Sequence, residues 1–373
     1  MTDELAKAWA YLSRVAEPPC PALAALVQRV GAVEAAERVR RGRAGDDINR
    51  YVEARRDIDC AAEDLAVLAR LGGRLLTADD DEWPLLAFTG FAGVGDRRSQ
   101  AHPPMALWAI GPAALDEVAW RAAAVVGTRA ATAYGEFVAA DFATGLAERD
   151  VAVVSGGAFG IDGAAHRSAL AADGLTVAVL AGGIDVPYPA GHAALLRRIA
   201  EHGLLLSEYP PGVRPARHRF LTRNRLVAAL AGATVVVEAG ARSGAANTAA
   251  WARSLGRAVC AVPGPVTSAA SVGCHALLRN AAHIVTRAED VVELVGSIGE
   301  LAPDEQRAVS PLDELTETDK RVYDALPRRG GLTADEIAVT SGLPARQVLG
   351  PLANLELSGL VVCRDGRWKL ASQ

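Results

Sequence analysis

Short, largely apolar runs recur along the middle of the chain, separated by amphipathic stretches. They lie at Ala106–Ile110, Ala122–Val126, Val151–Val154, Thr176–Leu180, Leu204–Leu206, Thr234–Val237, Ala258–Val262 and His283–Val285. An unbroken apolar strand is buried on both faces, and strands alternating with helices build a parallel sheet covered on both sides. The pattern predicts a parallel α/β core over residues 76–296. Ligands of such sheets bind beyond the carboxyl ends of the strands.

The flanks differ. Residues 1–75 carry helical periods (LAKAWAYLSRVA, then LAALVQRVG, AVEAAERVRRG and AAEDLAVLARLGG) with a break at Pro18-Pro19, and read as a small helical domain. Residues 297–312 are polar and irregular, as a linker is. In residues 313–373 three helical stretches precede LVVCRDGRWKLA, a hairpin turning at Asp365-Gly366. That order is the winged-helix pattern.

Composition narrows the class. Half of the 373 residues are apolar, yet no uncharged apolar run reaches membrane-spanning length. The acidic opening, Met1-Thr2-Asp3-Glu4, is unlike a signal peptide, so the cytoplasm is expected. Five scattered cysteines show no CxxC or Cys/His spacing, so neither a disulfide framework nor a metal site is expected. The net charge of −5 does not by itself suit a polyanion, but phosphate binding follows the local field. Lys7, Lys320 and Lys369 are the only lysines. The arginine bias fits a GC-rich genome, and arginine also suits planar contact with phosphate.

Four segments carry candidate chemistry. The first is VAVVSGGAFGIDGAAH, residues 151–166. A strand enters a turn made by Ser155, Gly156, Gly157, Phe159 and Gly160, and a helix capped by Asp162 follows. Backbone amides at such a turn can cradle phosphate; a plain strand-to-helix turn is the other reading. The spacing is not GxGxxG. No lysine lies between Lys7 and Lys320, so a GxxxxGK[ST] loop cannot occur. The second segment is Gly127-Thr128-Arg129, where the arginine either closes on a phosphate or is solvated. The third is SEYPPGVRPARHRFLTRNR, residues 207–225, with Arg214, Arg217, Arg219, Arg223 and Arg225 against one acid, Glu208. Phe220 and Tyr209 interleave with these cations, as suits single-stranded nucleic acid. Arg223 and Arg225 read as opening a helix, with Asn224 between them. The fourth is ARSGAANTAAWA, where Ser243-Gly244 either offers free amides or simply caps a helix, with Arg242 alongside. Asp162 and His166 form an ordinary i,i+4 helical pair and Ser155 is not in GxSxG, so a catalytic triad is not expected. Cys274-His275 reads as an ordinary helix start.

In this order, Gly127-Thr128-Arg129, SGGAFGIDGAAH, LAGGIDVPYP, LLSEYPPG, FLTRNRLVAAL, VVVEA, RSG with Thr248-Ala249, AVPG and GCHALL resemble the DprA/Smf family of DNA-processing proteins. The resemblance covers nearly all of residues 100–290. It implies an extended Rossmann-like core, an N-terminal SAM-like helical domain and a C-terminal winged helix. It also implies a homodimer that binds single-stranded DNA, loads the recombinase RecA during natural transformation, and uses no cofactor and no catalytic residue. Arg129 matches the family's pocket arginine, Gly156, Gly157 and Gly160 its phosphate loop, and Arg223-Asn224-Arg225 its RNR element. The chain departs from the family in four places. Only His192 precedes Arg197 and Arg198 after Tyr188-Pro189, where a basic residue is common, Phe159 stands where a basic or polar residue is common, and Asn247 and Ala281 stand where an apolar residue and a glycine are expected.

The main rival is a nucleotide-processing hydrolase on a related sheet, with Glu208 or Glu238 as its carboxylate. A nicotinamide or flavin binder lacks its glycine spacing. A transcription regulator would act through the winged helix, which is acidic over residues 297–373, with twelve acids and nine bases.

Overall fold

The amino-terminal periods form five helices: α1 (Asp3–Val15), α2 (Pro21–Val30), α3 (Ala32–Arg40), α4 (Asp46–Val52) and α5 (Ala61–Arg70). Thr2 caps α1 and proline opens α2, where its missing N–H costs nothing. Their apolar faces (Trp9, Tyr11, Leu12, Leu23, Val39) share one buried cluster with Trp108, Ile110, Leu196 and Ile199 of the α/β core. The computed structural model describes residues 2–94, 100–241, 243–296, 315–328 and 330–371. The expected linker at 297–312, Arg242 and Arg329 lie outside the described residues. The chain divides into two compact units, residues 1–302 and 303–373.

The sheet of the first unit takes β1 (Gly73–Thr77), then α6 (Leu85–Phe88), β2 (Ala106–Ile110), α7 (Leu115–Trp120) and β3 (Ala122–Val126). Next come α8 (Ala133–Ala147), β4 (Ala152–Ser155), α9 (Ile161–Ala171), β5 (Thr176–Leu180), α10 (Ala193–His202) and β6 (Leu204–Ser207). The last are α11 (Arg217–Ala229), β7 (Ala233–Val236), α12 (Gly244–Ser254), β8 (Ala258–Ala261), α13 (Val272–Arg279), β9 (His283–Ile284) and α14 (Ala288–Val295). The strand order is β1-β2-β6-β5-β4-β3-β7-β8-β9. From β6 to β9 all pairs are parallel, and β2, β3, β5 and β6 are buried along their whole length. The chain winds outward from β3 to β6, returns, and winds the other way from β7. The direction therefore reverses between β3 and β7, where such sheets open a crevice.

Three expectations need correction. The sheet is not wholly parallel: β1 and β2 run antiparallel at one edge. β1 escaped the periodicity because five residues directly after helical α5 give too short a pattern. Arg223 and Arg225 lie in the middle of α11, not at its start. Asp162 does not cap α9; Gly160, at φ +72°, holds that place. Ala281 has φ +59°, a left-handed conformation that favours glycine, which explains the glycine expected there.

The second unit holds α15 (Glu317–Asp324), α16 (Ala334–Ser341), α17 (Ala345–Leu357), β10 (Val361–Arg364) and β11 (Arg367–Leu370). Thr333 and Glu336 form a capping box on α16. Asp365 and Gly366 turn the hairpin with φ of 53° and 73°, as a two-residue turn requires. Leu332 bridges to Trp368 on the hairpin, and Val322, Ile337, Val348, Leu352 and Leu355 fill the core.

Candidate functional site

The loops after β3, β4 and β7 are tied together by their own backbones. Thr128 N donates to Glu238 O (2.8 Å), and Ile161 N donates to Thr128 O (3.2 Å). A Cβ on Gly160 would strike the backbone oxygen of Thr128, so only glycine lets the two loops meet. Between these loops and α11 opens a cavity of about 820 Å³. Thr128, Arg129, Gly156, Arg217, Phe220, Arg223, Asn224, Ser243 and Gly244 all line it, and Tyr188 adds a wall. From α11 the lining residues are 217, 220, 221, 223, 224 and 227, mostly at helical spacings of three and four.

The cations in the cavity differ. Arg129 is exposed, and its guanidinium carbon lies 5.0 Å from the centre of the Phe220 ring. The Tyr188 ring lies 5.4 Å beyond Phe220. Arg217 is also exposed. Arg223 is buried and donates to Gly156 O (2.7 Å) and to Val179 O. Burial pulls its pKa down to about 10, the Asp162 charge opposes that, and Arg129 adds to it. A Cβ on Gly156 would meet this guanidinium at about its carbon, which accounts for the glycine.

The expected amide cradle is partly filled from within. Asp162 Oδ2 accepts from Gly156 N (3.1 Å) and Ala158 N (3.4 Å). Burial raises the pKa of Asp162, while Arg223, the two amides and the Ser155 hydroxyl oppose the rise. A protein carboxylate thus takes two of the donors assigned to phosphate, and among the described lining residues the exposed cations are Arg129 and Arg217. Ser243 caps α12 by accepting from Ala246 N (3.2 Å), the plain reading of that segment, while still lining the cavity. Asn224 Nδ2 donates to Asn247 Oδ1 (3.2 Å) and Gly244 O (3.3 Å), so the unexpected Asn247 holds Asn224 in place.

Other expected residues stand outside the lining. Ser155 is buried and donates to Val125 O (2.6 Å). Gly157 carries the turn at φ +68°, and its carbonyl oxygen accepts from His192 Nδ1 (3.0 Å). Phe159 is 47% exposed and meets the His192 ring edge-on at 4.6 Å. Arg219 is held by both oxygens of Glu17 (2.6 and 3.0 Å) and lies 5.0 Å from the Tyr209 ring centre. Arg225 is 0% exposed and paired with Glu208 (2.6 Å). Neither arginine reaches the cavity. Sequence reasoning missed the role of Tyr188 as a wall and of Asp162 as an internal anion. The aromatic of Tyr188-Pro189 was the one available signal for the first.

The carboxylates offered for hydrolysis are engaged. Glu208 belongs to Arg225, and Glu238 accepts from Thr132 Oγ1 (2.6 Å) and Thr132 N (2.9 Å). His166 is bonded to Thr176 (2.7 Å), and burial lowers its pKa to about 3. Its ring makes no hydrogen bond with Ser155, whose hydroxyl goes to Val125 O. Among the described residues, no group of three or more His, Cys, Asp or Glu could hold a metal ion, and no helix is long and apolar enough to cross a membrane.

The family described as DNA recombination-mediator protein A matches residues 74–296, more than half of the chain. The chain belongs to the DprA/Smf family. The DprA winged helix domain matches residues 306–367. A putative DNA processing protein DprA from Mycobacterium tuberculosis is 71% identical over 99% of this chain and 95% of its own length. Protein Smf from Escherichia coli is 37% identical over 65% of this chain and 66% of its own. Among solved structures, DprA from Streptococcus pneumoniae superposes with a TM-score of 0.64 at 29% identity, covering 78% of this chain and 98% of that one. DprA from Helicobacter pylori, whose structure is described as showing a unique single-stranded DNA binding mode, gives 0.50 at 27% identity, over 59% and 94% of the two chains. The DprA family placement fits the mixed sheet, the helical amino terminus and the winged helix alike.

Proposed function

We propose that this protein binds single-stranded DNA in the cavity at the β3–β7 crevice and loads RecA onto it, as a homodimer, without a chemical step. One observation carries the reading: two exposed guanidinium groups, Arg129 and Arg217, share a cavity with the Phe220 and Tyr188 rings. Cations follow a sugar-phosphate chain, and rings stack on bases that lack partners. Duplex DNA hides its bases in the stack and would leave the rings unused. Thr128, Asn224, Ser243 and Gly244 supply polar contacts along the wall. Gly156, Gly157, Gly160 and Ser155 act by shaping the loop. The working division is a helical domain at 1–75, the DNA-binding core at 76–296, a linker at 297–312 and the winged helix at 313–373, all acting in the cytoplasm.

The test is a titration of fluorescent single- and double-stranded 20-mers at two salt concentrations. Single strands are expected to bind more tightly, with a log-log salt slope of about −1.4 for two phosphate contacts. Arg129→Ala is expected to weaken all sequences alike and flatten that slope by about 0.7. Equal binding of duplex, or an unchanged slope in Arg129→Ala, removes this site from the role. RecA loading is read separately, as faster filament formation on single strands coated with single-strand binding protein.

A further inference from the structure

We propose that a second groove, at the opposite end of the strands, docks a partner-protein segment carrying apolar side chains flanked by lysine or arginine. The groove holds about 670 Å³. Leu85, Leu86 and Trp120 line it and are 67%, 68% and 75% exposed. Three large apolar side chains left in water along one groove, with a polar rim, mark an interaction surface. Trp120 is the kind of side chain that anchors interfaces.

Position separates this groove from the DNA cavity. Trp120 ends α7 one residue before β3, and Arg257 directly precedes β8, so the groove lies at the amino ends of the strands. The cavity with Arg129 lies at their carboxyl ends. Both can be filled at once.

Charge selects the occupant. Asp81, Asp116 and Glu117 stand exposed on the rim and make no ion pair with a described residue. Among the described lining residues the one cation, Arg257, has Nη2 donating to Ala87 O (2.9 Å). Among the described lining residues, three carboxylates against one guanidinium repel phosphate and attract lysine or arginine. A second copy of this chain is disfavoured for the same reason. A two-fold interface sets the same patch against itself, which would press the acidic rims together.

The test uses the full chain and two labelled 15-residue peptides, an amphipathic leucine-lysine helix and its glutamate counterpart. The lysine peptide is expected to bind and the glutamate peptide not. Trp120→Ser is expected to weaken the lysine peptide by about 30-fold, the usual cost of a lost anchor. Asp116→Asn with Glu117→Gln is expected to weaken it less and to reduce its salt dependence. Affinity for single-stranded DNA should be unchanged in both variants. Trp120 lies on the surface, so a melting curve suffices to show that the variants fold. Three results overturn the proposal: no binding of the lysine peptide; equal binding by Trp120→Ser, which indicates unspecific attraction to an acidic chain; or self-association of the parent that Trp120→Ser abolishes, which assigns the groove to a second copy.

Discussion

Two faces of α11 carry arginines that look alike in sequence and behave as opposites. On the cavity face, Arg217 is exposed, and Arg223 is spent on backbone oxygens and on the field of Asp162. On the other side, Arg219 and Arg225 each have a carboxylate of their own, Glu17 and Glu208. A guanidinium already paired with a buried or half-buried carboxylate has little to offer a phosphate. Exchanging partners would strand the acid in a site where its charge is costly. The contrast shows that local charge density overstates an anion site when the neutralising acids come from elsewhere in the fold. Glu17 is about two hundred residues away along the chain from its arginine.

The largest test of this contrast is Arg225→Ala. It leaves Glu208 buried without its partner, which costs about 3–5 kcal/mol. Urea unfolding should show that loss, while the folded fraction keeps its DNA salt slope. Replacing both partners, Arg225→Met with Glu208→Leu, should recover most of the stability, because a packed apolar pair often substitutes for a buried ion pair. A flattened salt slope in Arg225→Ala would break the comparison by making Arg225 a DNA ligand.

On the cavity face the corresponding change is Phe220→Ala. A base–ring stack contributes about 1–3 kcal/mol, so single-strand affinity should fall roughly 5- to 150-fold. The salt slope should stay where it was, because a ring neutralises no phosphate. Arg129→Ala should lower affinity and flatten the slope together, which makes the two variants a joint test.

Glu17 gives a smaller effect with a pH signature. Burial raises its pKa, but the hydrogen bonds and charges of Arg219 and Arg55 overcome that and hold it at about 2, below the ordinary 4.5. A carboxylate depressed in the folded state stabilises fully above pH 4.5, and that contribution is lost as pH falls from 4.5 to 2. Partial exposure limits it to about 1–2 kcal/mol. Glu17→Gln should therefore be less stable at pH 6 and should lose less on acidification across that window. Equal acid sensitivity in both chains would show that Glu17 does not hold Arg219.

The strands were legible because each is a short apolar run between helical periods, and the winged helix because Asp365-Gly366 marks its turn. β1 was not, because a five-residue edge strand has no pattern of its own. Within the site, Gly127-Thr128-Arg129 and the glycine turn announced themselves through residue type. The fates of Arg219, Arg223 and Arg225 did not, since pairing depends on which carboxylates the fold brings close. Asp162 was legible as a helix-start residue, but which amides it reaches depends on the left-handed turns at Gly157 and Gly160. Ala281 was the reverse case: the glycine expected there pointed to a backbone conformation that the alanine adopts.

The smallest expected effect separates two rings. Phe159 follows the glycine turn, and by residue type it is as good a stacking platform as Phe220. Its ring, however, rests edge-on against His192 and does not line the cavity, whereas Phe220 stands between Arg129 and Tyr188. His192 in turn bonds to Gly157 O, so Phe159 braces the loop from behind. A strand held by Arg129 and Arg217 can pass along Phe220 without touching Phe159. Phe159→Ala should then cost less than about threefold in single-strand affinity, well below the stacking range. A loss as large as that of Phe220→Ala would mean that the strand crosses the 156–160 turn toward Tyr188, and the path along α11 would have to be redrawn.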